Sequence, residues 1–405
     1  MPAEGAAVGA GTGRRRALRS LLASLAAATS GVLPAFLVGA VGVRIQADLG
    51  IGNAMLGLLV STLFVTAGAT SILAGRIVDR MGWASSVRIA AVGSIACLGG
   101  IAATARGAGS LMLLLVLGGL AHAALAPAAN LALARDLPGS RQGIVFGLKQ
   151  SSTSAALLLG GLAVPTITVV WGWRMTFLVA IVVPLSAAIA APPGRRDALA
   201  PAPPVGARPR TSAAGHPKGL AGITVAGGAA AATVTASSAF LVISAVDVGV
   251  SEGRAGLLLA LASIVSLAAR IGVGWHADRR QRRSLWSVAL LLGVGAAGLL
   301  ALASGSVVLL VPGAMLAFAA GTGWPGLYHL AVVHRYLRTP AAATGTVQTG
   351  LAIGAAIGPL AFGLVVERWS FGAAWSATAA TALLASALVV RSARRWRRED
   401  GDGQR

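Results

Sequence analysis

The sequence predicts an all-α integral membrane protein with twelve transmembrane helices, arranged as two six-helix bundles. The 405-residue chain is 56% hydrophobic and has a mean hydropathy of +0.79. Only 11% of its residues are charged, whereas a soluble domain has about 25%. In addition, one charged loop occurs twice, beginning at Gly75 and again at Gly274, half a chain length further on. This repeat predicts two similar halves in the same orientation, related by a pseudo-twofold axis along the membrane normal.

Twelve apolar stretches approach or exceed the ~20 residues that a membrane-spanning helix needs. They cover residues 20–43, 53–74, 87–105, 111–133, 143–169, 175–191, 219–245, 255–273, 285–303, 307–333, 344–366 and 374–390. Between the sixth and seventh spans, residues 192–218 are rich in Pro, Ala and Arg, which predicts a flexible cytoplasmic linker. We therefore expect one bundle over residues 1–191 and a second bundle, with a charged cytoplasmic tail, over residues 219–405.

The basic residues are distributed unevenly across the predicted membrane. The formal net charge is +21, from 33 basic and 12 acidic residues. Lys149 is the one basic residue that we assign to the interior of a span. Of the other basic residues, all but five fall on one side of the predicted membrane, and those five are Arg44, Arg106, Arg174, Arg254 and Arg368. By the positive-inside rule, we expect both termini in the cytoplasm and a multi-pass protein of the plasma or inner membrane. Nucleic-acid binding needs a folded basic face with stacking aromatics, and no soluble domain is available to provide one.

The two halves align at a single offset across the fourth and fifth spans of the first half. Five pairs of identical residues then coincide: Pro127 with Pro325, Gly147 with Gly345, Gln150 with Gln348, Gly160 with Gly358, and Trp171 with Trp369. Several matches at one offset are unexpected by chance in a chain rich in Ala, Gly and Leu. They support an internal repeat.

The two charged loops have similar sequences. The first reads Gly75-Arg76-Ile77-Val78-Asp79-Arg80-Met81-Gly82, and the second reads Gly274-Trp275-His276-Ala277-Asp278-Arg279-Arg280. With the twelve spans and the linker, they resemble the major facilitator superfamily (MFS) over essentially the whole chain. The first loop is similar to the signature between that family's second and third helices, and the second to its weaker copy between helices eight and nine. The family's pattern continues with two basic residues, which the first loop lacks and the second loop has as Arg282 and Arg283.

The resemblance implies an MFS fold, alternating access and a gating role for the loops. The gating residues expected on this basis are Gly75, Asp79, Arg80, Gly82, Asp136, Gly274, Asp278 and Arg279. Asp79 is expected to lie against the start of the eleventh span and to hold the halves together in the outward-open state, because a carboxylate is attracted to the positive N-terminal end of a helix. Arg80 is expected to pair with Asp136. The alternative is that these charges only mark topology and remain solvated.

Polar and aromatic residues within the predicted spans are candidates for substrate binding: Lys149, Gln150, His122, Trp324, His329 and Gln348. Lys149 either binds an anion or extends back to the cytoplasm. Five polar residues follow it, so this part of the fifth span is expected to border a watery cavity. The segment 146–150 is similar to a Gly-x-Lys-Gln element in a cyanate- and nitroimidazole-transporter-like branch of the superfamily.

The other candidates have alternative interpretations. His122, near the middle of the fourth span, and His329, nearer the cytoplasmic end of the tenth, either form hydrogen bonds between helices or act as a substrate or proton site. Trp324 either lines a cavity or packs between helices. Gln348 is the repeat partner of Gln150.

The acidic residues bear on the charge of the solute. None of the twelve lies in the middle of a predicted span, whereas proton-driven export of cationic drugs usually needs a buried carboxylate. We therefore predict a secondary transporter of a small organic solute, anionic or neutral rather than cationic, with protons as the candidate coupling ion. The alternatives are a proton-coupled multidrug efflux antiporter and, from another class, a membrane sensor or scaffold.

The sequence does not predict an enzyme. It has no Gly-x-x-x-x-Gly-Lys-Ser/Thr phosphate loop and no His/Cys/carboxylate cluster with metal-site spacing. We expect no cofactor, no metal and a monomer whose transport pathway lies within one chain.

Overall fold

The computed structural model describes residues 3–136, 142–191, 220–279, 284–336 and 339–402. At residues 3–19, 130, 133–136, 142–149, 277–279, 284, 340–342 and 400–402 it describes the backbone only. The described residues form helices joined by short turns and include no β-strand. The predicted linker lies outside them, so the division of the chain at residues 192–218 stays a prediction.

The helices follow the predicted spans. In the amino-terminal half, comprising the first six spans, they are α1 Ala3–Ala40, α2 Gly42–Leu49, α3 Asn53–Met81, α4 Trp83–Thr104, α5 Ala108–Asp136, α6 Gln142–Ala163, α7 Val169–Trp171, α8 Trp173–Ala180 and α9 Val182–Ala190. A π-helical segment, Val164–Thr168, joins α6 to α7. In the carboxy-terminal half they are α10 Leu220–Asp247, α11 Glu252–Arg279, α12 Ser284–Ala303, α13 Val307–Ala319, α14 Pro325–Arg335, α15 Pro340–Arg368 and α16 Phe371–Asp402.

The predicted all-α membrane class is confirmed. Within the described chain, eleven helical segments are long and apolar enough to cross a membrane, and α13 is a shorter apolar helix. The tenth crossing is divided between α13 and α14, which the sequence did not predict. Pro325 begins α14, where its missing N–H is tolerated. A Cβ on Gly295 of α12 would lie 2.5 Å from Gly321 Cα, so this broken segment packs directly against the α12 backbone.

The helices α1 and α10 lie at the centre of the molecule. Their most apolar segments are 72% and 78% buried, whereas those of the other spans are 28–50% buried. The outer helices instead expose large apolar side chains, such as Ile72, Leu113 and Val308, each at least 70% exposed. Such side chains are suited to contact with lipid rather than water.

The two halves meet backbone to backbone at one end of the molecule, which we call the closed end. It contains α2 and the turn at residues 248–251 before α11. A Cβ on Gly39 of α1 would lie 2.7 Å from Ala239 Cα of α10, and one on Gly57 of α3 would clash with Pro359 O of α15. Small residues allow helices to approach this closely in a membrane, where lipid provides no hydrophobic driving force.

Away from the closed end, α3 and α15 separate. Gly57, Gly68 and Gly75 lie on one face of α3, because the residues between them span nearly whole numbers of helical turns. A Cβ would clash with Pro359 O at Gly57, would lie 3.7 Å from Ala352 Cβ at Gly68, and would meet nothing within 4 Å at Gly75. The gap therefore widens towards the charged loops, at what we call the splayed end.

We expect Gly57→Ala to open the closed end, because its methyl group cannot coexist with the Pro359 carbonyl unless α3 and α15 move apart. The measurement is the rate at which a cysteine at position 243 reacts with a membrane-impermeant maleimide, in an Ile243→Cys, Cys97→Ser background. Ile243 is 7% exposed, so its labelling reports opening. A destabilisation of about 1 kcal/mol would raise the labelling rate about fivefold.

The matched control is Gly75→Ala. It makes the same substitution on the same face of α3 and gains the same helix propensity, but its Cβ has no neighbour within 4 Å. Labelling rates that rise equally in both variants would contradict the contact at Gly57.

Candidate functional site

A salt bridge joins the two halves at the closed end. Arg44, in α2, donates from Nε to Glu252 Oε2 at 2.6 Å. Glu252 is the first residue of α11, so its carboxylate also lies at the positive end of that helix. The Arg44 side chain is 44% exposed, and Glu252 Oε1 is buried without a hydrogen-bond partner among the described residues. The pair therefore ties α2 to α11 but is neither fully buried nor fully satisfied.

A second contact between the halves caps a helix. The N-cap residue of α3 is Gly52, which has no side chain to accept a backbone hydrogen bond. Glu367, near the end of α15, fills this role, because its Oε1 accepts from the Ala54 N–H at 3.0 Å. A side chain at Gly52 would clash with that carboxylate. One N-terminal donor of α3 is therefore satisfied by the opposite half.

Within the amino-terminal half, Asp48 fixes α2 to α8. Its Oδ2 accepts from Arg174 Nη1 at 2.7 Å and from Trp173 Nε1 at 3.1 Å. These two hydrogen bonds, with the charge of Arg174, lower the pKa of the Asp48 carboxyl. The stabilisation is fully present above the ordinary carboxyl pKa of about 3.9 and is lost only as the pH falls through the lowered value. At neutral pH, the contact holds α2 in place at the closed end.

The first charged loop lies at the splayed end. Asp79 and Arg80 are exposed in the last turn of α3, and Asp79 forms no ion pair with a described residue. Gly82, between α3 and α4, has a φ of +78°, which L side chains rarely adopt. The tight turn between α3 and α4 therefore requires glycine at this position. Gly75 has no neighbour in α15 within 4 Å of a Cβ.

The second loop is only partly described. Gly274 is buried within α11. The side chains of Asp278 and Arg279, and that of Asp136 after the fourth span, lie outside the described residues. The pairing of Arg80 with Asp136 and the gating roles of both loops stay predictions.

The assignment of Lys149 as the one basic residue inside a span is wrong. Arg88 lies within α4, and Arg270 lies within α11, where it is buried with 4% of its surface exposed. Arg270 falls near the end of the predicted eighth span, residues 255–273, whereas α11 continues beyond that end to Arg279. The side chain of Lys149 itself lies outside the described residues.

Arg270 bridges the two halves. Its Nη1 donates to Gln150 O of α6 at 2.6 Å, and its Nε lies 3.4 Å from Ser266 Oγ, one turn earlier in α11. No described carboxylate lies within salt-bridge distance of it. Gln150, a predicted site residue, is therefore brought to Arg270 through its backbone carbonyl.

A row of buried hydroxyl groups continues from Arg270. Ser266 Oγ lies 2.8 Å from Ser154 Oγ of α6 and 2.5 Å from Thr322 Oγ1, in the break between α13 and α14. The row connects three crossings and both halves. The sequence offered one signal for it, since Ser266 and Arg270 are four residues apart and share a helix face.

His329 and Gln348 are brought together between α14 and α15. His329 Nδ1 lies 2.8 Å from Pro325 O, and Nε2 lies 3.3 Å from Gln348 Oε1. If the ring is neutral and donates from Nδ1, Nε2 can only accept, and the amide NH2 of Gln348 must then face it. If the ring is an imidazolium ion, Nε2 donates to Gln348 Oε1. The pair therefore links two helices of the carboxy-terminal half.

His122 and Trp324 lie apart, each within its own half. His122, half-buried in α5, packs against Gly31 of α1 and sits edge-on to Phe64 at 6.3 Å between ring centres. Trp324 is 1% exposed and sits edge-on to Tyr328 at 5.3 Å. Its Nε1 is buried without a hydrogen-bond partner among the described residues. Trp324 therefore packs inside the carboxy-terminal half in this conformation.

The chain matches a known family model over nearly its whole length. The model described as Major Facilitator Superfamily matches residues 20–335 and, in a second match, residues 223–404. No curated protein matches the chain. The resemblance of the chain to this family is thereby confirmed. The roles of the charged loops and the narrower resemblance of residues 146–150 stay predictions.

We expect Glu252→Arg to open the closed end, because two arginines would then face each other where a salt bridge now joins the halves. The double variant Arg44→Glu, Glu252→Arg should restore closure, since it reverses the pair. The measurement is maleimide labelling of a cysteine at position 243. A partly exposed pair contributes about 0.2–1 kcal/mol, so labelling should rise up to about fivefold in the single variant.

The control is Asp247→Arg, which makes the same change of charge at the closed end. Asp247 is exposed and pairs with no described residue, so its labelling should stay near that of the parent. A double variant that labels as fast as Glu252→Arg would show that the pair does not hold the halves together.

Proposed function

The chain belongs to the major facilitator superfamily and is a membrane transporter, and we propose that it moves a small organic solute by secondary active transport with alternating access. The amino- and carboxy-terminal halves would rock around a central site between the first, fourth, seventh and tenth spans. Secondary active transport is driven by the gradient of a coupled ion, and protons are the candidate ion.

The unequal contact between α3 and α15 is the observation that best supports alternating access. The two helices touch at Gly57 and stand apart at Gly75. If each half moves as a rigid body, closing the splayed end separates Gly57 from Pro359 at the closed end. Closure of one end is therefore coupled to opening of the other. A solute that binds the two arrangements with different affinity shifts the equilibrium between them.

The charge distribution supports a cytoplasmic location for the splayed end. The first loop contains Arg76 and Arg80, the second contains Arg282 and Arg283, and the linker and carboxy-terminal tail add further basic residues. Basic loops remain on the cytoplasmic side. On this assignment, both termini are cytoplasmic, the protein lies in the plasma or inner membrane, and the described conformation opens inward.

Asp79 is the residue that we assign to stabilising the opposite conformation. When the splayed end closes, the start of α15 at Pro340 would approach the last turn of α3. The positive end of α15 would then attract the Asp79 carboxylate, which is solvated in the described conformation. Arg80 with Asp136, and the charges Asp278 and Arg279 of the second loop, would act at the same end.

The placement of charges supports an anionic or neutral solute. The described carboxylates with known side-chain positions lie at or near helix ends: Asp48, Asp79, Asp247, Glu252, Glu367 and Glu399. The buried charge described within a crossing is instead Arg270. A lipophilic cation would meet repulsion there, so multidrug efflux is the less favoured alternative.

Purified protein in liposomes tests this function. Organic anions, neutral metabolites and lipophilic cations are offered in turn, with and without an imposed pH gradient, and counterflow is measured. Counterflow of an anion or a neutral solute supports the proposal, and stimulation by the pH gradient supports proton coupling. Movement of lipophilic cations alone would favour multidrug efflux, and folded protein that moves no solute would contradict secondary transport.

We expect Asp79→Ala to slow counterflow about twofold to thirtyfold, because a carboxylate at a helix N-terminus contributes about 0.3–2 kcal/mol to the state in which the splayed end is closed. Membrane insertion should be unchanged, since Asp79 is exposed. The control is Asp247→Ala, which removes a similarly exposed carboxylate at the closed end. Full counterflow activity in Asp79→Ala would contradict the gating role.

A further inference from the structure

We propose that Arg270 is the anchor for the transported solute, and that the group it binds is a carboxylate. The inference rests on the proposed transport function for its physiological meaning, but its binding chemistry can be tested separately. It deepens that function by specifying the residue and the chemical class of the solute.

The first argument is a buried charge that has no counter-ion among the described residues. Arg270 is 4% exposed, and among the described residues it bonds only to a carbonyl oxygen, Gln150 O, and a hydroxyl oxygen, Ser266 Oγ. These groups are dipoles and do not neutralise a guanidinium ion. A buried cation without a counter-ion is strongly disfavoured. A ligand that brings one negative charge would remove that cost.

The second argument is the position of Arg270 at the boundary between the halves. Its bond to Gln150 O runs from α11 to α6, and the row Ser154, Ser266 and Thr322 runs beside it between the same helices and the break in the tenth crossing. Movement of one half against the other must change the surroundings of this guanidinium. Its affinity for an anion therefore differs between the two conformations, as transport by alternating access requires.

The third argument is the geometry of the guanidinium group. It presents five N–H donors in a planar fork, and its two bonds to described residues leave three of these N–H groups unused. Two parallel N–H groups match the two oxygens of a carboxylate. A phosphate dianion would call for two positive charges, whereas the guanidinium group of Arg270 supplies one. A singly charged carboxylate therefore fits this site best.

The competing explanation is that Arg270 only links α11 to α6 through the Gln150 carbonyl. Arg270→Gln separates the two roles, because its amide can still donate one hydrogen bond but has no charge. Arg270→Lys keeps the charge and loses the planar fork. The matched control is Arg88→Gln, because Arg88 also donates to a backbone carbonyl, Ala191 O at 2.7 Å, but within one half.

The experiment measures thermal unfolding of the purified full-length protein. The probes are acetate, lactate and benzoate, with acetamide, lactamide and benzamide as uncharged analogues and inorganic phosphate as a second anion. We expect at least one carboxylate to raise the Tm of the parent protein in a concentration-dependent way, while its amide and phosphate do not. Arg270→Gln should raise the apparent Kd at least about tenfold, Arg270→Lys should raise it severalfold, and Arg88→Gln should leave it unchanged.

Several results would overturn the inference. They are the absence of stabilisation by any of the carboxylates, equal stabilisation by a carboxylate and its amide, and an apparent Kd that is the same in Arg270→Gln as in the parent. If Arg270→Gln does not fold, Arg270→Lys decides the question, and a Kd unchanged in that variant contradicts the bidentate anchor.

Failure of this inference can be distinguished from failure of the proposed function. A carboxylate that binds through Arg270 but shows no counterflow in liposomes would contradict transport and keep the anchor. A solute that is transported equally well by the parent and by Arg270→Gln would keep transport and refute the anchor.

Discussion

Backbone contact across glycines is the interaction on which the closed end depends. Gly39 and Gly57 allow α1 and α3 to touch the backbones of α10 and α15, and this contact fixes the distance at which the charged groups of the two halves meet. The Arg44–Glu252 pair then adds about 0.2–1 kcal/mol, and the Glu367 cap adds about 1 kcal/mol. Conformations of one protein differ by only a few kcal/mol. The glycines therefore set the geometry of the closed end, and the charged groups adjust how often the protein adopts the conformation in which that end is closed.

The membrane class and the spans can be predicted from hydropathy, because a bilayer requires long apolar helices whose backbone groups are satisfied internally. The breaks in those helices cannot be predicted in the same way. Pro127 and Pro325 coincide in the internal repeat, yet α5 continues through Pro127 while α14 begins at Pro325. Gly321 and Gly323 lie shortly before Pro325, whereas the matching positions before Pro127 are not glycine. The packing of Gly321 on Gly295 of α12 helps to place the break there, and only the folded bundle shows that contact.

The candidate site was predictable where its signals are local. The charged loops are short motifs, so the sequence identified Asp79 and its neighbours, although their gating role stays a prediction. Arg270 was missed because a cation near the predicted end of a span is expected to reach water, whereas α11 extends beyond it. The partners of Glu252 and Glu367 lie in the opposite half, and no local pattern marks a contact between residues so distant in the chain.

The cap on α3 also links the two halves during biosynthesis. Glu367 follows Ala54 by 313 residues, so α3 is synthesised and inserted long before its cap exists. Until α15 arrives, the first turn of α3 has to find water or lipid headgroups as hydrogen-bond acceptors. The amino-terminal half therefore completes its own structure only when translation is nearly finished. A chain that stops short of Glu367 lacks this acceptor, so the first turn of α3 frays more readily.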